Sequence, residues 1–346
     1  MDNCIVLNER EIEQINRLTS RLSQNFAGFD NEDFLKDLPV SAYRLPERLV
    51  RFINSFKYDP PQEGYAVIST GMVNDYILSK TPPHWQLDTN NTSCEAQVLT
   101  ICLCATVLGD LFGWFTQQDG RIVHDILPIR QNEFEQLGSG SGTELTLHTE
   151  DAFHEYRGDY LVMMCLRNPD SIPTTIAKPD YESLTDEEVD VLFEEHFVIK
   201  PDNSHKPAYS SDKRYVDLAS ANNDKLVYAY SHIEELVSRP KKVAVLYGHR
   251  DRPYLRLDPY FMEEPDNSEA KLALRKLVAL VEESMVEVTL KPGEILLIDN
   301  YEVVHGRRRF AARYDGTDRW FKRVNVTRDI RKCRSLLERN SSRVIT

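Results

Sequence analysis

The sequence predicts a mainly β chain with flanking helices, arranged as an antiparallel sandwich or jelly roll. Three observations carry this. From residue 121 onward, short apolar runs follow one another between turn residues, at a density that suits antiparallel sheets better than alternating β–α units. Helical periodicity is confined to a few segments. The chain has 346 residues, 41% of them hydrophobic, enough for a large core at a length that β-rich folds often use as one unit.

In order, residues 8–25 read as an amphipathic helix, with Ile12, Ile15, Leu18 and Leu22 recurring at steps of three and four. Residues 40–80 are mixed, broken at Pro60-Pro61, although 64–70 (GYAVIST) looks like a strand. Residues 93–111 read as a buried helix with Ser93 as its cap. Strands are expected at 121–127, 144–148, 159–166 and 174–177, then a helix at 185–196. Further strands follow at 242–247, 286–290, 294–299 and 321–327, with an amphipathic helix at 268–285. The polar stretch 201–213 (PDNSHKPAYSSDK) reads as a loop or lid. The division expected is one catalytic domain over 1–346, with a helical extension at 1–60, a jelly-roll core at 61–330 and a tail at 331–346.

Composition narrows the function. A net charge of −13 argues against a general grip on nucleic acid and reads as a solubility feature. The six cysteines are scattered, with no C-x-x-C pair, and read as reduced core thiols in a cytoplasmic protein. The N-terminus lacks the basic start and apolar run of a signal peptide. The longest uncharged stretch, 96–109, is too short to cross a bilayer, so no membrane partner is expected.

The chemistry centres on Leu147-His148-Thr149-Glu150-Asp151. Residues i and i+2 of a strand share a face, so His148 and Glu150 aim at one point and Asp151 faces away if the strand continues. That spacing suits two ligands of a 2-His-1-carboxylate facial triad, which holds iron(II) and leaves three positions open. His305 fits as the third, after the strand 294–299 and a short turn. Zinc remains a rival on donor types alone, although there is no H-E-x-x-H helix of a protease. A basic run follows: Arg307, Arg308, Arg309, Arg313, Arg319, Lys322 and Arg323. An oxoacid chelating the metal needs a fixed cation for its far carboxylate, and arginine offers a bidentate fork. The pattern alone leaves the choice among these residues open.

Residues 147–175 (LHTEDAFHEYRGDYLVMMCLRNPDSIPTT) and 293–326 (GEILLIDNYEVVHGRRRFAARYDGTDRWFKRVNV) resemble the clavaminate synthase-like iron(II)/2-oxoglutarate oxygenases, in the branch that hydroxylates free arginine or lysine. The likeness includes residues 117–125 and 253–258 (PYLRLD) and spans most of the chain from about residue 60. It implies a double-stranded β-helix, a distorted cupin-like jelly roll. His148, Glu150 and His305 become the catalytic metal ligands, with iron(II), 2-oxoglutarate and dioxygen as cofactor and cosubstrates. Arg319, fourteen residues after His305, becomes the partner of the 2-oxoglutarate C5 carboxylate, and Thr175 shares that task. Arg323 then meets the substrate carboxylate and Gln117 the substrate amine, with Glu150 beside them. Asp251 and Asp258 are candidates for reading the side chain, in a loop where a solvated-turn role is an equal alternative.

The activity expected is hydroxylation of an unactivated C–H of a free basic amino acid, with succinate and carbon dioxide as co-products. Because the 248–258 loop offers His249 with Asp251, the expectation leans to L-lysine at C4 or C3, with L-arginine as alternative. Arginine would call for paired acids that match its planar guanidinium. A zinc hydrolase and a non-catalytic jelly-roll binding protein are the rival classes. The partners expected are a small-molecule substrate and, as one option, a second copy of the chain.

Overall fold

The structure is a computed structural model that describes residues 3–24, 28–29, 31–87, 93–206 and 223–346. The strands are β1 (Cys4–Val6), β2 (Tyr65–Ser69), β3 (Asp110–Trp114), β4 (Val123–Ile126), β5 (Leu145–His148) and β6 (Tyr160–Arg167). Next come β7 (Thr174–Ala177), β8 (Phe197–Val198), β9 (Lys242–Val243), β10 (Leu246–His249) and β11 (Arg252–Leu255). The series ends with β12 (Val286–Val288), β13 (Glu294–Asp299), β14 (Val304–Arg307), β15 (Trp320–Thr327) and β16 (Val344–Ile345). Eight of these form a major sheet in the order β1-β2-β13-β6-β15-β3-β16, with β4 also on β15; β12-β7-β14-β5 form a minor one. The two make the expected jelly roll.

Alternation at period two explains how the sheets are used. Leu161, Met163 and Cys165 of β6 join Phe321 of β15 and Ile176 of β7 in the core between the sheets. The intervening Val162, Met164 and Leu166 point the other way, into helices α1 (Glu9–Ser23), α2 (Glu32–Ala42), α3 (Glu47–Tyr58) and α4 (Glu95–Leu108). Helix α4 is apolar nearly all round, with Val98 through Ala105 buried, as a helix wedged between a sheet and other helices must be. The outer face of the minor sheet (Leu147, Ala177, Val304) is covered by the helices Asp186–Phe193 and Ser268–Glu283.

Several expectations are refined. Helices α2 and α3 lie within the stretch 1–60 where a helical extension is expected, although the sequence pattern bounds only the first helix; α2 persists through Pro39 because Leu35, Leu38 and Ala42 are buried. The buried helix stops at Leu108, where Gly109 lets the chain turn directly into β3, and its cap position is Cys94, not Ser93. The apolar run 242–247 divides into β9 and β10. Both chain ends enter the major sheet, β1 on β2 and β16 on β3. Five cysteines are buried and all six are unbridged, but Cys4 is exposed on the edge strand β1, so it is not a core thiol. Residue 25 and residues 207–213 of the anticipated loop lie outside the described residues. Among the described residues, no helix is long and apolar enough to cross a membrane.

Candidate active site

Strand β14 lies between β5 and β7 in the minor sheet, and its register sets His305 directly opposite His148. Directly opposed residues share a face, so both imidazoles enter the space between the sheets, with ring centroids 4.5 Å apart. Gly306 is needed there: a Cβ would lie 2.3 Å from the Leu145 carbonyl oxygen and 2.9 Å from Thr175 Oγ1. The structure thus places His305 in a strand of its own, β14, that follows the turn after β13.

Glu150 arrives differently from the strand argument. Strand β5 ends at His148, and a turn carries Glu150 to the same point. Glu150 Oε2 lies 3.6 Å from His148 Nε2 and 3.4 Å from His305 Nε2. Thr149 N–H donates to the Leu257 carbonyl at 2.7 Å, and Leu257 N–H to Thr149 Oγ1 at 3.1 Å. Asn300 holds the Glu150 peptide from both sides: Glu150 N–H donates to Asn300 Oδ1 at 2.8 Å, and Asn300 Nδ2 to the Glu150 carbonyl at 3.0 Å. Asp151 does face away, through left-handed backbone (φ 53°) rather than a continued strand. Its carboxylate accepts from Trp114 Nε1 at 2.6 Å and pairs with His205 Nε2 at 3.0 Å.

This donor set suits a transition metal. The three ligand atoms lie within 4.8 Å of one another. His148 Nδ1 sits 2.8 Å from the Thr146 carbonyl, which can only accept, so Nδ1 carries the proton and Nε2 is left to bind an ion. Without an ion the charges compensate one another. Burial pushes the His148 imidazole down, but Glu150 and Asp258 together carry it up to about 9. Burial and the His148 charge take His305 down to about 4. Burial opposes ionisation of Glu150, yet Arg323 and the two imidazoles hold its carboxyl well below the usual range.

Arg319 and Arg323 occupy different parts of one cavity. Arg323 Nη1 donates to Glu150 Oε1, and Nη2 to His124 Nδ1 at 3.0 Å and Gln117 Oε1 at 3.4 Å. Arg319 is buried over the Phe321 ring, 3.8 Å from its centroid, and its Nε has no hydrogen-bond partner. Burial and the Arg307 charge lower its pKa to about 9. Thr175 is not on this side. Thr174 pairs with Arg307 and Thr175 with Gly306, so Thr174 shares the face of His305 and Arg307 and lines the cavity. The expectation for Thr175 is corrected by one residue, a slip that swaps faces at period two.

The cavity wall also carries acids, Asp202 and Asp258. Asp258 is buried beside His148, and burial together with the Asp202 charge raises its carboxyl to about 6, against the pull of His148. Asp251 is not there: it sits in the turn joining β10 and β11 with its side chain 84% exposed, bordering a separate surface depression. Gln117 lines the cavity, its Nε2 donating to Ser204 Oγ at 2.7 Å. Three residues unforeseen in the sequence, Asp202, Ser204 and His205, bring the 201–206 segment to the cavity. His205 is its anchor, fully buried against Asp151 and, through Nδ1, 2.7 Å from Thr116 Oγ1.

Comparison with known proteins points to one family. Residues 209–325 match the family described as taurine catabolism dioxygenase TauD, TfdA. An L-ornithine/L-arginine 3-hydroxylase of Catenulispora acidiphila is 40% identical, covering 94% of each chain. An enduracididine beta-hydroxylase of Streptomyces hygroscopicus is 37% identical over 98% of each. An L-lysine 4-hydroxylase of Chitinophaga pinensis is 28% identical, covering 89% of this chain and 76% of its own. The crystal structure of the non-heme iron oxygenase OrfP with Fe, succinate and (3S)-hydroxy-L-Arg superposes with a TM-score of 0.92 at 40% identity over the whole of both chains.

Proposed function

The chain belongs to the TauD, TfdA dioxygenase family, in the branch of free-amino-acid hydroxylases, and from that premise we propose that it hydroxylates free L-arginine, or a close guanidino analogue, at C3. The observation that carries the substrate is the pair of acids on the cavity wall, Asp258 and Asp202, which act on each other beside His148. Burying an unpaired guanidinium is costly, and two carboxylates match its planar fork. The lysine expectation rested on Asp251, which lies outside the cavity, and the relatives named for lysine are the more distant ones.

His148, Glu150 and His305 hold iron(II), and Arg319 with Thr174 seats the C5 carboxylate of 2-oxoglutarate. With iron(II) and 2-oxoglutarate bound, the site supplies oxidative chemistry in which dioxygen and the oxoacid yield succinate, carbon dioxide and one hydroxyl on the amino acid. The protein's own part is placement and exclusion of water. Arg323, already turned toward Glu150 and steadied by His124 and Gln117, receives the substrate α-carboxylate. Gln117 Oε1 accepts from the α-ammonium, and Glu150 Oε1 adds negative charge beside it. Because the α-carboxylate anchor touches Glu150, one of the three residues that would hold the ion, the carbons next to Cα would lie on the side of His148, Glu150 and His305, which favours C3. Asp258 and Asp202 take the guanidinium and hold the chain extended between the two ends.

The test is a ranking of kcat/KM for arginine, homoarginine, ornithine, lysine and citrulline under saturating 2-oxoglutarate. Arginine or homoarginine should lead, and citrulline, which is uncharged, should trail both. Lysine in first place would overturn the substrate and leave the reaction class standing.

A further inference from the structure

A second buried guanidinium stands near the first with no role assigned. Arg307 is on β14, two residues past His305, on the same face, and lines the same cavity as Arg319. It is 3% exposed and lies over the Phe310 ring at 5.0 Å. Its Nη1 donates to the Arg308 carbonyl at 2.8 Å and Nη2 to the Thr143 carbonyl at 3.5 Å, while Nε has no partner. Among the described residues neither Arg307 nor Arg319 pairs with a carboxylate. The nearest acid acting on Arg307, Glu144, is itself bound to Arg308 at 2.6 Å. Arg319 makes no side-chain hydrogen bond among the described residues. Two buried cations that share a cavity and lack a counter-ion repel each other, and both are costly to desolvate. An anion entering the cavity beside both would offset that cost.

We propose that Arg307 is the second cation of the seat for the distal carboxylate of 2-oxoglutarate, acting with Arg319. This rests on the reading of Arg319 given above. Arg307 is pinned by two backbone carbonyls, so its charge is held at a fixed place, while Arg319 offers unused N–H groups for direct contact. The seat therefore selects a dicarboxylic oxoacid by two positive charges rather than one, and it holds succinate, which keeps the same carboxylate, after turnover. A 2-oxo acid of equal length without that carboxylate, such as 2-oxovalerate, gains nothing from either arginine.

The experiment uses the iron(II)-loaded protein without oxygen and follows the visible absorbance that develops when a 2-oxo acid chelates iron(II). 2-Oxoglutarate and 2-oxovalerate are titrated into wild type, Arg307→Gln, Arg307→Lys and Arg319→Met. Arg307→Gln should weaken 2-oxoglutarate at least tenfold and leave 2-oxovalerate within twofold. Arg307→Lys, which restores the charge without the carbonyl geometry, should recover most of the loss and covers the case in which the Gln variant folds poorly. Equal weakening of both oxoacids, or no rescue by Lys, means that Arg307 only braces β14 and overturns the proposal. An unchanged 2-oxoglutarate affinity in Arg307→Gln also overturns it, while loss in Arg319→Met alone keeps the single-arginine reading. If Arg319→Met binds 2-oxoglutarate normally, the underlying assignment fails as well.

Discussion

Replacing Asp258 with Asn tests the substrate reading with little steric change. Asn keeps an oxygen to accept the Phe261 N–H, which Asp258 Oδ1 does at 3.2 Å, and removes only the charge. The lost interaction with a cationic tail is a charge-assisted hydrogen bond, worth about 1.5–3 kcal/mol. That is roughly 10- to 150-fold in kcat/KM for arginine. Citrulline has the same shape and no charge, so its kcat/KM should change little, and the arginine-to-citrulline ratio should fall by nearly the full factor. The same carboxyl sets a pH dependence. It is raised to about 6 by burial, so it is ionised above that value and protonated below it. A cation binds only the ionised form, so the KM for arginine should rise as pH falls through about 6, with no matching change for citrulline or in Asp258→Asn. The assay is succinate release under saturating 2-oxoglutarate across pH. An unchanged arginine-to-citrulline ratio in the variant, or an equal loss for both amino acids, would refute the reasoning.

His148→Ala or His305→Ala should abolish turnover with the far-UV circular dichroism unchanged; near-normal succinate production in either would remove that residue from the metal site. Glu150→Ala should lose iron in a metal titration while Asp151→Ala keeps it, because Asp151 faces Trp114 and His205; the reverse pattern would break the assignment. Because the metal-free His148 imidazole is raised to about 9 and an ion needs its Nε2 lone pair, iron(II) binding near neutral pH should release about one proton and strengthen about tenfold per pH unit up to that value. Calorimetry in buffers of different ionisation heat measures this, and no proton release would contradict the charge arrangement. Arg319→Met should raise the KM for 2-oxoglutarate far more than that for the amino acid, and Arg323→Met the opposite; both effects on one cosubstrate would merge two sites that the cavity keeps apart.

Legibility in the sequence followed the reach of local periodicity. The strand bearing His148 was readable because it is a short apolar run with a polar residue at one end, whereas β14, which bears His305, is only Val-His-Gly-Arg and shows no apolar run; the residue types at 148, 150 and 305 limit the chemistry. The device that places Glu150 was not readable, because it is a side-chain clamp from Asn300 across 150 positions of sequence. Thr174 and Thr175 are chemically identical, and only the pairing of β7 with β14 separates the one in the cavity from the one behind it. Asp202 and Ser204 looked like turn residues, and they are: Ser204 N–H donates to Asp202 Oδ1 at 2.7 Å. What brings that turn to the cavity is the buried contact of His205 with Asp151, a tertiary pairing with no sequence period. Asp251 misled for the converse reason, since an acid beside the PYLRLD strand could sit at its buried end or its exposed turn, and the hairpin put it at the turn. The bounds of α2 and α3, within the helical extension expected at 1–60, were obscured by a proline and by polar residues on the faces they turn to solvent.

Identifying the product tests the substrate and the site of hydroxylation together. The iron(II)-loaded protein, given 2-oxoglutarate and oxygen, is offered an equimolar mixture of free amino acids that includes arginine, homoarginine, ornithine, lysine and citrulline, and the products are identified by mass spectrometry and proton NMR. One oxygen atom should be added to arginine or homoarginine at C3, with one succinate formed per hydroxylated molecule. Hydroxylated lysine as the main product would contradict the role given to Asp258 and Asp202, and hydroxylation remote from C3 would contradict the placement of the α-carboxylate on Arg323.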